Sequence, residues 1–276
     1  MMPQPPPRPD LRADGLPLGG GVVPGPVPAT LPDGRPVVSW RFLPAIGVAL
    51  LGFLLGSVAA APIFALFGDT TEGGASGISE LAQGLVVDLV LVGVLVAWLN
   101  SRHGTWREAL RLVPRDHVPR EVAIGAGLGV AVRIVAGIAV AIIVAVLSAA
   151  TGDEVSVPEQ VTGNLHGFQL VVFALFAVIV APVTEEFLFR GLIYRSIRDR
   201  YGVPLGAAVS ALLFGAIHFV AGDAWTGTVA LQVTMVVTGL GLALVYERRK
   251  TLLAPIAGHA AFNLIAVVVV VFDAFR

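Results

Sequence analysis

Long apolar runs separated by short polar segments make up most of the chain from Arg41 onward. Each run has about the 20 residues that a helix needs to cross the hydrocarbon core of a bilayer. The pattern predicts seven transmembrane helices, at residues 41–67, 80–100, 121–149, 165–189, 203–221, 226–246 and 252–273. The predicted fold class is therefore all-α, a polytopic integral membrane protein built as a helical bundle.

Composition supports a membrane environment. Hydrophobic residues make up 56% of the 276 residues and charged residues only 13%, whereas soluble domains carry about 25% charged residues. The net charge of −1 gives no reason to expect nucleic acid as a partner, so the expected partner is the lipid bilayer. Cysteine is absent, which excludes disulfides and thiolate metal ligands.

The first 38 residues have a different composition and hold eleven of the nineteen prolines. Such a segment buries too little apolar surface to offset the entropy of ordering the chain. We therefore predict two parts. Residues 1–38 form a disordered N-terminal tail rich in proline and glycine, and residues 39–276 form the transmembrane helical domain.

Basic residues lie in alternate loops, within residues 101–120, 195–200 and 248–250, whereas the other loops between the helices carry aspartate or glutamate and no lysine or arginine. Loops rich in lysine and arginine usually stay on the cytoplasmic side of a membrane. The predicted orientation has the N-terminus in the cytoplasm. The predicted location is the plasma membrane, which the chain crosses several times.

Ionisable residues within the apolar runs mark a candidate site, because they are rare at membrane depth and usually serve a pathway, a relay or catalysis. Glu185 and Glu186 end the run that starts near Phe168, and Arg190 follows them. On a helix Glu186 and Arg190 share a face, while Glu185 points about 100° away. We expect Arg190 to hold Glu186 and to leave Glu185 free for chemistry.

A second charged pair is predicted between Asp88, in the second run, and Arg133, in the third. Residue counts from the ends of the two runs place both side chains at a similar depth. The expected role is structural, because two opposite charges that meet between helices neutralise each other in lipid.

Two more patterns carry polar residues, Phe214-x-x-x-His218 and His259-x-x-x-Asn263. Residues four apart stack on one helical face. A lone histidine or asparagine in a span is usually structural, but three such patterns indicate one site between the fourth, fifth and seventh helices. At ~1.5 Å per residue, His259 lies about 10 Å and His218 about 22 Å from the cytoplasmic side, so tilt, a bend or unequal starting levels must bring them together.

These three patterns resemble the signature of the CPBP family of intramembrane proteases. That family contains the CAAX prenyl proteases of the Rce type and Abi-like bacterial proteins linked to bacteriocin processing or immunity. The resemblance covers about residues 165–270, including the runs 187–194 and 238–247. It implies an endopeptidase that hydrolyses peptide bonds of membrane proteins or membrane-associated peptides, which would be prenylated only where the cell makes such substrates.

The resemblance also implies that Glu185 is catalytic and that Glu186 and Arg190 support it. Peptide hydrolysis needs an activated water, a group that accepts its proton and donors for the oxyanion. Glu185 can accept the proton while His218 orients the water. His259 and Asn263 can donate hydrogen bonds to the oxyanion. The predicted catalytic set is Glu185, Glu186, Arg190, His218, His259 and Asn263.

This mechanism requires no cofactor. The alternative on the same residues is a Zn²⁺ ion held by Glu185, His218 and His259, a known ligand count for hydrolytic zinc, although the usual His-Glu-x-x-His spacing is absent. Two other functions stay open. One is a non-catalytic bacteriocin-immunity or binding protein on the same scaffold, and the other is a proton-coupled transporter, for which the expected internal repeat is not evident.

Overall fold

The computed structural model describes residues 30–31, 37–67, 75–104, 106, 117–158, 167–220 and 224–274. Most of the predicted N-terminal tail, residues 1–29 and 32–36, lies outside the described residues, so its disorder stays a prediction. Residues Val38–Arg276 make up one compact unit. Within its described part the chain forms seven helices: α1 Phe42–Phe67, α2 Ala75–His103, α3 Val118–Thr151, α4 Phe168–Tyr201, α5 Val203–Ile217, α6 Trp225–Arg249 and α7 Leu253–Ala274.

The predicted all-α membrane bundle is confirmed. Among the described residues, five helices are long and apolar enough to cross a membrane (α1, α2, α3, α4 and α6), and two shorter apolar stretches lie in α5 and α7. Leucines such as Leu43 and Leu89 are largely exposed on the outside of the bundle, as expected for side chains that face lipid. The main difference from the prediction is α4, which continues to Tyr201 instead of ending near residue 189.

The fourth helix is the centre of the bundle, because it contacts α1, α2, α5, α6 and α7. α1 and α2 pack against each other as a pair, and α3 packs on α6 and α7. Gly125 and Gly129 bring α3 close to α7, where an added Cβ at Gly125 would lie 2.7 Å from the Cα of Ala254. Small residues thus permit the close helix contact that membrane bundles favour.

The predicted Asp88–Arg133 pair is wrong. α2 packs on α1 and α4, whereas α3 packs on α6 and α7, so the two side chains lie on different interfaces. The Asp88 carboxyl group interacts with the Thr184 hydroxyl on α4. The Arg133 guanidinium lies over the ring of Phe262 on α7, 4.7 Å from its centroid. A similar depth in the membrane is necessary for pairing. The helices that pack against each other decide which side chains meet.

Ion pairs gather at the end of the bundle where α4 and α6 finish, which we call the basic end. Arg198 on α4 donates two hydrogen bonds to Glu247 on α6, at 2.7 and 3.1 Å. Arg249 on α6 donates from Nε to a carboxylate oxygen of Glu121, in the first turn of α3, at 2.9 Å. These contacts hold the start of α3 and the ends of α4 and α6 together.

The segment before α1 is attached to the same end. The backbone N–H of Val38 donates to the Asp199 carboxylate at 3.2 Å, and its carbonyl accepts a hydrogen bond from Arg200 at 2.9 Å. The fully buried Trp40 donates its indole N–H to the carbonyl of Leu192, at 3.2 Å. The basic end therefore also anchors the entry to α1.

Candidate active site

The two glutamates of the candidate site lie in a short α-helical stretch of α4, Ala181–Glu186, between two π-helical stretches, Phe176–Val180 and Phe187–Tyr194. The wide turns of a π-helix are rare overall, and those that occur are frequently found at functional sites. Pro182 offers a local cause, because it has no N–H and its ring crowds the preceding turn of an α-helix. The wider turn before Pro182 accommodates the ring, and α4 continues through the bundle.

Glu186 belongs to a polar cluster that is shielded from solvent. Its Oε1 accepts a hydrogen bond of 2.7 Å from Arg190 Nη1 and lies 3.0 Å from Nδ1 of His259, and neither Glu186 nor Arg190 is exposed. Because a carboxylate can only accept, the hydrogen of that second contact is on Nδ1. Arg190 Nη2 donates to the carbonyl of Gly239 on α6 at 2.7 Å. The predicted Glu186–Arg190 pair is present, and α6 and α7 complete it.

Glu185 has different surroundings. Its side chain is 19% exposed, and its Oε2 lies 3.7 Å from His218 Nε2 and 3.9 Å from His259 Nε2. These distances are too long for hydrogen bonds, and Oε2 accepts none from the protein. Two ring nitrogens and one carboxylate oxygen therefore face each other without direct contact. The predicted separation of the two glutamates is present in the structure.

Phe214 packs against three members of the site. Its ring is buried, with its centroid 4.6 Å from that of His218 and 5.7 Å from that of His259. The Arg190 guanidinium lies over the same ring at 4.8 Å, a favourable cation–π distance. The Phe214 carbonyl accepts a hydrogen bond of 2.8 Å from Nδ1 of His218, so Nε2 is the nitrogen that faces Glu185. The first residue of the Phe-x-x-x-His pattern thus orients the last.

Asn263 is on the same face of α7 as His259, one turn further along. Its side-chain amide donates to the carbonyl of Ala177, in the first π-helical stretch of α4, at 2.7 Å. This contact lies about two turns from Glu185 on α4. An amide nitrogen carries two hydrogens, so one donor remains after this bond. The bond ties α7 to α4 beside the site.

His218 and His259 meet at Glu185, although residue counts placed them at depths that differed by about 12 Å. The assumption behind those counts, that each helix starts at the membrane surface, is wrong for α7. Ala254, the second residue of α7, packs on Gly125, which lies about two turns into α3, since an added Cβ at Gly125 would lie 2.7 Å from the Ala254 Cα. α7 therefore begins inside the bundle, and His259 needs few residues to reach the level of Glu185.

Sequence reasoning missed two contributors to the site. Gly239 accepts a hydrogen bond from Arg190 and lets α6 approach α5, because an added Cβ there would lie 3.0 Å from the Cα of Ala211. Asp88 interacts with Thr184, the residue before Glu185, which brings a third carboxyl group to this region. The sequence does carry a signal for both, namely Gly239 and Gly241 inside one apolar span and the charged residue Asp88 inside another.

The residues proposed as zinc ligands have suitable donor types. Nδ1 of each histidine is engaged away from Glu185, and each Nε2 points toward it, as in zinc sites whose histidines are held by outer contacts. Zinc bonds of about 2.0–2.1 Å would place tetrahedral ligands about 3.3 Å apart, closer than the distances observed here. In the described part of the chain, no group of three or more histidine, cysteine, aspartate or glutamate side chains is arranged as a metal site.

Part of the chain is similar to a known protein family. Residues 167–265 match the family model described as type II CAAX prenyl endopeptidase Rce1-like. All three patterns lie inside the match, from Glu185 to Asn263. This part of the chain is therefore similar to the Rce1-like family. No match was found among the curated proteins or among the solved structures.

The Rce1-like match lies within residues 165–270, the range over which the sequence patterns resemble the family. It confirms the resemblance to CAAX-type proteases and supports a membrane-embedded endopeptidase in general. Together with the apolar helices, it identifies the chain as an integral membrane protein. The Rce1-like core comprises α4, α5, α6 and the first half of α7, which are the helices that form the site.

Proposed function

We propose that this chain is an intramembrane endopeptidase in which Glu185 activates a water molecule that attacks a peptide bond. The substrate is a membrane protein or membrane-associated peptide, prenylated only where the cell makes such chains. One observation carries the proposal. Oε2 of Glu185 is buried but accepts no hydrogen bond from the protein, and two histidine nitrogens face it at 3.7 and 3.9 Å. This is the geometry expected of a general base that holds a water.

The water would lie between Glu185 Oε2 and Nε2 of His218. Since His218 donates from Nδ1 to the Phe214 carbonyl, Nε2 of the neutral ring can accept a hydrogen bond from the water and orient it. Glu185 takes the proton as the water oxygen attacks the carbonyl carbon. The same proton then goes to the leaving amine when the tetrahedral intermediate collapses.

The oxyanion needs donors, and we assign them to α7. The remaining amide hydrogen of Asn263 is one donor. Nε2 of His259 is the other, and it can donate only when both ring nitrogens carry a proton, because Nδ1–H is already directed at Glu186. Glu186 and Arg190 do not touch the reacting atoms in this scheme. They position His259 and the turn that carries Glu185.

The proposal is tested by a comparison of membranes from cells that carry wild type, Glu185→Gln or Glu154→Gln. Glu185→Gln keeps the shape but cannot accept the proton, so turnover should fall about 10²-fold or more, and an uncut substrate should accumulate. Glu154 is exposed and outside the site, so its variant should process the substrate like wild type. Full processing by Glu185→Gln would reject the mechanism and favour a binding or transport role.

Zn²⁺ is the alternative on the same residues. Glu185, His218 and His259 would hold the ion, which would supply Lewis-acid activation of water and substrate. The purified enzyme separates the two schemes. Activity that survives exhaustive chelation supports the metal-free mechanism, whereas loss that Zn²⁺ alone restores assigns the three residues as ligands.

We also propose that the basic end faces the cytoplasm, which puts the N-terminus inside. The support is the gathering of arginines at that end, since cytoplasmic segments of membrane proteins are rich in arginine and lysine. The chain has no cysteine, so single cysteines can be introduced at two exposed sites, Arg248 at the basic end and Asp153 after α3. In intact cells, an impermeant thiol reagent should label position 153 and not 248. The reverse pattern would invert the orientation.

A further inference from the structure

A cavity of about 470 Å³ opens at the basic end between α1 and α2, away from the candidate active site. Its lining is Ser39, Arg41, Pro44, Trp98, Arg102 and His103. Neither the protease mechanism nor the packing of the bundle uses it. The lining is unusual in this largely apolar chain, because two guanidinium groups and an imidazole share one opening.

The two arginines differ from Arg198 and Arg249 of the basic end. Arg198 and Arg249 are paired with carboxylates, whereas no described carboxylate forms an ion pair with Arg41 or Arg102, and both are exposed. Exposed unpaired arginines that share a cavity attract an anion, and their planar donor groups suit the oxygens of a phosphate. The charge of the cavity thus selects an anionic ligand.

Two polar side chains of the lining, Ser39 and His103, are held by contacts within the protein. Ser39 Oγ lies 3.1 Å from Nδ1 of His103. The His103 ring packs edge-on against Trp98, with 4.8 Å between centroids, and against the buried Trp40 at 6.1 Å. With its ring held on two sides and Nδ1 engaged, His103 has Nε2 left for a ligand. The cavity is therefore lined by one fixed imidazole and two exposed guanidinium groups.

The position of the cavity indicates where the anion comes from. Arg41 precedes α1 and Arg102 is next to the last residue of α2, and both helices are of membrane-spanning length, so the cavity lies at the level of lipid headgroups. Tryptophan is enriched at that level. Leu43 and Leu50 are 74% and 65% exposed, so α1, which begins next to Arg41, offers an acyl chain an apolar surface.

We propose that this cavity binds the phosphate of an anionic phospholipid headgroup. Arg41 and Arg102 contact the phosphate oxygens, His103 donates to the headgroup, and the acyl chains lie along the exposed leucines of α1. The inference does not depend on the proposed protease activity, and lipid binding is the readout of its test.

The test uses the purified full-length chain in detergent, with bound lipid counted by native mass spectrometry after exposure to phosphatidylglycerol or phosphatidylcholine. The key variant is Arg41→Gln/Arg102→Gln. The matched control is Arg120→Gln/Arg248→Gln, which removes two exposed arginines from helix ends outside the cavity. A third variant, Arg41→Lys/Arg102→Lys, keeps the charge. Thermal melts without lipid confirm that each variant is folded.

Wild type, the control and the lysine variant should prefer phosphatidylglycerol, and Arg41→Gln/Arg102→Gln should bind it about tenfold more weakly or worse, because two charge-assisted contacts are lost. Inorganic phosphate at millimolar concentration should not displace the lipid. Equal phosphatidylglycerol binding by the glutamine variant and the control would overturn the proposal. Displacement by free phosphate would overturn the lipid assignment and indicate a site for a small soluble phosphate.

Discussion

Glu185 and Glu186 are the same residue at adjacent positions, yet the structure gives them opposite surroundings. Glu186 is fully buried and is held by Arg190 and His259. Glu185 is 19% exposed and makes no hydrogen bond through Oε2, which faces the two histidine nitrogens at 3.7 and 3.9 Å. The turn of about 100° per residue on a helix directs Glu186 into a cluster of charged partners and Glu185 to a position where its buried Oε2 has no hydrogen-bond partner.

This difference allows two roles, structural support and acceptance of a proton, that a single carboxylate cannot combine. A buried charge is stable only when it is paired and hydrogen-bonded, and the pairing that stabilises it also removes it from chemistry. A general base must keep an oxygen free for the proton it accepts. In the proposed mechanism the pair of glutamates therefore combines a rigid support, Glu186, with a reactive group, Glu185, and the variants below test that division.

The largest expected effect is on the buried side of the comparison. Arg190→Met leaves Glu186 buried without its cation, which should cost about 3–5 kcal/mol of stability, seen as a low folding yield and a lower Tm. Arg248→Met, at an exposed arginine outside the cluster, should change stability by less than about 0.5 kcal/mol. Similar melting of Arg190→Met and wild type would show that Glu186 does not need its partner.

The two histidines provide the next test, because His259 contacts Glu186 at 3.0 Å and faces Glu185 at 3.9 Å, whereas His218 faces Glu185 alone, at 3.7 Å. Both alanine variants should lose about 10²-fold or more in turnover. His259→Ala should also lower the Tm more than His218→Ala does, since it removes a buried partner of Glu186, a loss of about 1–3 kcal/mol. Equal melting temperatures for the two variants would contradict the assignment of His259 to the buried cluster.

The smallest effect concerns Asp88, which interacts with the residue before Glu185, and Arg133, which packs on Phe262. Because the two lie on different helix interfaces, the stability changes of Asp88→Asn and Arg133→Leu should add to within about 0.5 kcal/mol in the double variant. Only Asp88→Asn should alter turnover. A double variant that is more stable than either single variant would restore the ion pair that the sequence suggested.

Some parts of the site follow from local spacing. Residues four apart on a helix share a face whatever the rest of the chain does, so the pairing of Glu186 with Arg190 and the orientation of Phe214 with His218 were accessible from sequence. The partners on other helices were not. The bond from Arg190 to Gly239 and the bond from Asn263 to Ala177 depend on which helices are neighbours, and apolar spans carry little information about that.

The sequence by itself determined the number and order of the helices, because a chain in lipid must satisfy its backbone hydrogen bonds within each span. It also determined which residues are the candidates for the chemistry, because ionisable groups stand out against an apolar background. Only the tertiary structure decided that α7 starts inside the bundle, that His218 and His259 meet at Glu185, and that Asp88 and Arg133 stay apart. These outcomes depend on the relative height and rotation of helices that are apolar on nearly every face, and packing between the helices sets both.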